Sequence, residues 1–121
     1  MQEKIIDTVT LAYIEAAAFT DFGADSDIPS DADFAPEAVT AARNICAAFL
    51  RDNEALALQY VNAGKTWDVF GHDLWFSRNR HGVGFWDRGV DRDIGKALTE
   101  AAHKIGETWT YRADDGLVYF S

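Results

Sequence analysis

The chain has 121 residues, with 20 Asp and Glu against 11 Lys and Arg and a formal net charge of −9. That balance argues against a conventional DNA-coating protein, which needs a basic surface to release counterions, and a lone cysteine, Cys46, excludes an internal disulfide framework or a cysteine-based zinc cage. No run of 18 apolar residues exists, MQEKIIDTV carries no secretion-type leader, and 48% apolar residues can fill one modest core, so a single cytoplasmic domain spanning 1–121 is expected.

Residues 4–19 read as a helix, because Ile6, Val9, Tyr13, Ala16 and Ala17 recur at three- and four-residue steps. The stretch 21–35, rich in Asp, Ser, Gly and Pro, reads as a loop. Pro36 and Glu37 suit the first turn of a second helix, whose buried face is marked by Val39, Ala42, Cys46, Phe49 and Leu50. Asp52 or Asn53 can cap a third helix to about Asn62, with Leu56, Tyr60 and Val61 inward and Gly64 as its stop. After Gly71 the pattern changes to aromatic runs broken by glycine. LWFSR (74–78) and VGFWD (83–87) are expected to pair as strands through NRHG, with Phe76 facing Phe85 and Trp75 facing Trp86. A helix over 92–105 follows, capped by Asp91 or Asp93 and ended by Gly106. ETWTYR (107–112) and LVYFS (117–121) then close a last hairpin around ADDG. The expected order is α-α-α-β-β-α-β-β: an α+β fold with N-terminal helices and a four-stranded antiparallel sheet of two hairpins around an intervening helix.

Charge is unevenly divided. Residues 1–70, the acidic helical part, hold 12 acids and 4 bases, whereas residues 71–121, the hairpin-helix-hairpin part, hold 8 acids and 7 bases. No Lys or Arg occurs from Ile5 to Ala42, and the densest acidic stretch supplies Asp21, Asp25, Asp27, Asp31, Asp33 and Glu37. Such a run is either a solvated loop or an acidic face for a basic partner. Carboxylates a few ångströms apart present the potential of a phosphate backbone and steer a cationic surface toward them.

The segment 71–89 gathers His72, Asp73, Arg78, Asn79, Arg80, His81, Asp87 and Arg88 among Trp and Phe. His72, Asp73 and His81 are the residue types of a metal or acid–base centre. They lie at opposite ends of the expected hairpin, with no HExxH, no poised nucleophile and no phosphate loop beside them. Arg78, Arg80 and Arg88 beside rings could grip single-stranded nucleic acid. Trp75, Arg78, Asn79, Arg80, His81, Trp86 and Arg88 could equally form a protein-binding hairpin, since Trp and Arg supply many interface hot spots. In the plainest reading the rings are core, and Asp73 and Asp87 pair with Arg88 to hold the strands.

The pattern GHD-aromatic-W-x-x-RN-x-HG-x-GFWDR, here Gly71, His72, Asp73, Leu74, Trp75, Arg78, Asn79, His81, Gly82, Gly84, Phe85, Trp86, Asp87 and Arg88, resembles a family of small, largely uncharacterised tailed-bacteriophage proteins. The likeness runs over roughly 34–120 and includes the Pro36–Leu50 helix and the closing DDG-x-x-Y. It departs from the family at Leu74, where an aromatic is usual, and at Arg80, where glycine is. The resemblance implies a phage origin and supplies no activity. It points to a non-catalytic inhibitor, of anti-CRISPR or other anti-defence type, acting in the host cytoplasm on a basic, nucleic-acid-binding bacterial protein. No cofactor, metal or membrane is expected, nor direct nucleic-acid binding. The alternatives are a small enzyme using His72, Asp73 and His81, or a module gripping single strands through the Arg/Trp hairpin.

Overall fold

Tyr13, Val9, Ala12, Ala16 and Ala17 lie along one buried stripe of the first helix, as their spacing requires. A computed structural model describes residues 1–87, 89 and 91–121, with only the backbone of Asp87. Its elements are α1 (Glu3–Asp21), α2 (Pro36–Asp52), α3 (Glu54–Asn62), α4 (Trp67–Arg78), a single 3-10 turn (Phe85–Asp87), α5 (Arg92–Ile105), β1 (Thr110–Arg112) and β2 (Val118–Phe120). Among the described residues no helix is long and apolar enough to cross a membrane.

The expected four-stranded sheet is not formed. Five helices and one two-stranded antiparallel sheet account for the regular structure among the described residues. The correction falls on 74–78 and 83–87: the first is the second half of α4, and the second is a loop ending in the 3-10 turn. Thr66 starts α4, its hydroxyl accepting the Val69 N–H at 3.2 Å. From there Phe70, Leu74 and Ser77 form one inward row, and Gly71, Trp75 and Arg78 another. With both rows buried, α4 has no clean polar stripe, so its aromatics mimic a strand.

Gly71 is needed because α4 packs closely on α1. A Cβ there would sit 2.4 Å from the Val9 carbonyl oxygen and 2.7 Å from Ala12 Cβ. The loop after α4 then turns Phe85 back into the core, where its ring lies 4.9 Å from Phe70 and 5.3 Å from Tyr60 between centroids. That return depends on Ser77, whose Oγ accepts the Phe85 N–H at 3.2 Å, and on Gly84, where a Cβ would strike the same oxygen.

The other helices follow the sequence closely. On α2 the inward residues are Ala38, Ala42, Cys46, Phe49 and Leu50; Val39, expected inside, is 41% exposed. Burial pushes the Cys46 thiol up to about 12. Asn53 joins α2 to α3, but its amide donates back to the Phe49 carbonyl instead of capping α3. Asp91 caps α5 through the N–H groups of Asp93 and Ile94, and Gly106 ends it at φ +91°.

The last hairpin is present, though shorter than expected. Thr110 faces Phe120, Tyr111 faces Tyr119 and Arg112 faces Val118. On the far side of β2, Val118 donates to the Asp33 carbonyl and accepts from the Ala35 N–H, both at 2.9 Å. Residues 33–35 therefore flank β2, and β1 is left as the outer strand.

Candidate functional site

Much of the motif's first part is spent on the interior, through Gly71, Asp73, Trp75 and Arg78. Trp75 is buried and its indole N–H donates to Thr20 Oγ1 at 3.0 Å. Asp73 is fully buried and accepts the Tyr60 hydroxyl. Arg78 is 8% exposed; its Nε donates to the Gly106 carbonyl at 2.8 Å and its Nη1 to the Tyr13 hydroxyl at 2.9 Å. Burial drives the Tyr13 phenol up to about 12, against the opposing pull of Arg78. Asn79 ties α4 to the segment before β1, its Oδ1 accepting the Thr108 N–H at 2.8 Å and its Nδ2 donating to the Trp75 carbonyl.

A projecting hairpin carrying these side chains is therefore not what the chain builds. Of the residues assigned to it, Arg80, His81 and Trp86 stand at the surface, and Arg88 lies outside the described residues. Arg80 Nε lies 3.7 Å from Glu107 Oε1, and His81 packs edge-on to Phe76. His72 is half-buried on α4. Asp73, on the next position, is held by Tyr60 in the core, so these two and the exposed His81 do not form one group. Among the described residues no set of three His, Cys, Asp or Glu side chains is arranged to hold a metal ion.

The acidic residues divide. Asp21, at the end of α1, reaches across to β1: its Oδ2 accepts the Thr110 N–H at 3.2 Å and the Thr110 hydroxyl at 2.7 Å. Asp25, Asp27, Asp31, Asp33 and Glu37 are exposed. Among the described residues none of these five forms an ion pair.

Asp25 and Asp27 line one side of an open cleft of about 980 Å³ whose other side is β1 and the turn after it. There stand Trp109 and Tyr111, 64% and 46% exposed, with Asp114 beyond them. The single base on this wall, Arg112, is turned to the Gly116 carbonyl at 3.2 Å. Ladder hydrogen bonds at Trp109 and Ala113 point those residues toward β2. By alternation, the backbone groups of Thr110 and Arg112 point outward. Tyr111 stacks on Tyr119, at 5.8 Å between centroids, which stiffens this wall. Behind it Asp115 accepts the Tyr119 hydroxyl at 2.6 Å. That bond, helped by the Leu117 N–H, holds the Asp115 carboxyl below its ordinary range and pushes the Tyr119 phenol up to about 12.

Carboxylates facing exposed aromatic rings across a cleft suit a cationic guest, which gains Coulomb attraction from one wall and ring-face attraction from the other. Trp109, Tyr111 and Asp114 were not singled out from the sequence. The signal for the two rings is their i, i+2 spacing in ETWTYR, which puts both on one strand face. Family models, curated proteins and solved structures were all compared with the chain, and none matches it.

Proposed function

We propose that the protein is a non-catalytic binding protein that occupies the basic surface of a nucleic-acid-binding bacterial protein, in the manner of a phage inhibitor of a host defence nuclease or CRISPR effector. The observation that carries this reading is the cleft between Asp25/Asp27 and Trp109/Tyr111, with Asp114 at its end. Its carboxylates stand in for phosphates and its rings for stacked bases, so Arg and Lys side chains that normally grip nucleic acid find equivalent partners here. The phage origin rests on the resemblance of the 71–88 motif. The surface assigned to the partner is the acidic loop with β1, and the motif supports it from within.

The test is affinity capture from host cells with wild-type chain and with the Asp25→Asn/Asp27→Asn/Trp109→Ala variant. A nucleic-acid-binding partner should be retained at low salt, released as salt rises, displaced by added DNA and lost with the variant. A partner held equally at all salt concentrations, and equally by the variant, overturns the reading.

A further inference from the structure

Arg78 poses a problem that the proposed partner surface does not touch. Its guanidinium is always charged and nearly enclosed, yet among the described residues no carboxylate forms an ion pair with it. The Gly106 carbonyl, just past the end of α5, offsets part of the charge by accepting Nε at 2.8 Å. Tyr13 supplies a neutral hydroxyl. Those two bonds use Nε and Nη1 and leave Nη2 with no partner among the described residues. No buried side-chain nitrogen or oxygen among the described residues lacks a hydrogen bond, so Nη2 must be reachable from open space. Arg78 lines a cavity of about 410 Å³ between α2 and the end of β2, of a size usual for small-molecule sites.

The walls of this cavity are of two kinds. Ala41, Ala42, Ile45 and Phe120 make an apolar side, while Thr108 and Ser121 bring two hydroxyls, 2.8 Å apart, to the same space as Arg78. Those hydroxyls are hydrogen-bonded to each other, which leaves one proton of the pair to give. A cation with no ion-pair partner among the described residues beside that donor, above hydrocarbon, matches a ligand with a single negative head and an apolar body. We propose that the cavity binds a small aliphatic monocarboxylate, its carboxylate on Arg78 Nη2 and on the free proton of the Thr108–Ser121 hydroxyl pair, its hydrocarbon against Ile45 and Phe120. Nη2 suits that head, because its N–H groups carry the guanidinium's charge into the hydrogen bonds they make with a carboxylate. The site uses different residues from the acidic cleft, so either can fail without the other.

The experiment titrates the full chain with octanoate and follows backbone amide shifts and thermal stability. Octanol serves as a probe with the same chain and no charge, and inorganic phosphate as charge without a chain. Octanoate should bind saturably and raise the melting temperature, with shifts centred on Tyr13, Ile45, Thr108 and Phe120. Octanol and phosphate should each bind at least tenfold more weakly, and Arg78→Met should weaken octanoate at least tenfold. If Arg78→Met does not fold, the octanol comparison and the shift map on the wild-type chain decide. No saturable binding, equal binding of octanol, or shifts mapping elsewhere would overturn the proposal.

Discussion

Asp21 Oδ2 accepts both the backbone N–H and the hydroxyl of Thr110, joining the end of α1 to the outer strand across 89 positions of sequence. The contact fixes one wall of the cleft against the other, and it occupies an N–H that would otherwise stand open on a strand edge. Asp21→Ala should cost about 1–3 kcal/mol of stability, the usual range for stripping a partly buried donor of its partner. Hydrogen exchange checks the location of the loss: the Thr110 amide should exchange faster in the variant. Unchanged exchange at Thr110 would show that the bond does not anchor β1.

Gly71 should reverse the normal preference of helices. Inside an exposed helix, glycine to alanine gains roughly 0.5–1 kcal/mol. Here the new methyl would lie 2.4 Å from the Val9 carbonyl oxygen, forcing α4 away from α1. Gly71→Ala should therefore destabilise by about 1–3 kcal/mol, as overpacking of a core does. Denaturant unfolding of the single variant reads the sign directly.

Arg80 closes α4 in a left-handed conformation, φ +57°. Its N–H bonds to the Ser77 carbonyl and the His81 N–H to the Phe76 carbonyl, the paired hydrogen bonds of a helix end that usually carries glycine. The surface contact to Glu107 is solvent-exposed and gives little back. Arg80→Gly should raise stability, by about 1 kcal/mol, from relief of the left-handed penalty. A lower unfolding midpoint for this variant would contradict the assignment.

The Asp115–Tyr119 bond should leave a signature at both ends of the pH scale. Asp115 titrates below its ordinary value, so its contribution is present above about pH 4 and is lost as pH falls through the lowered value. Tyr119 titrates at about 12, so its contribution is present below about pH 10 and is lost as pH rises through 12. Tyr119→Phe should return the Asp115 carboxyl toward the ordinary range, read from its side-chain carbon shift by NMR. An unmoved titration would mean that the hydroxyl is not what holds it.

Periodicity in the sequence revealed α1, α2, α3 and α5 because each buries one stripe and wets the other. The closing hairpin was legible from ADDG and the alternation on either side of it. The same reasoning failed for α4, which is covered on both sides and carries Asp73, Ser77 and Arg78 inward where apolar residues are the rule. Thr66 as a helix-starting residue was the available clue. The acidic stretch could be seen in composition, but that it would face Trp109 and Tyr111 could not. That juxtaposition depends on Asp21 meeting Thr110, a contact between distant residues with no local trace.

The interior role of Gly71, Asp73, Trp75 and Arg78 bears on how this chain would be compared with others. Gly71, Asp73, Trp75, Arg78 and Asn79 each meet a neighbour that is distant in sequence, among them Val9, Tyr60, Thr20, Tyr13 and Thr108. A chain sharing that signature would inherit a chassis. Under the function proposed above, what it grips would be decided elsewhere, by whichever side chains it displays at the positions of 20–28 and 109–114.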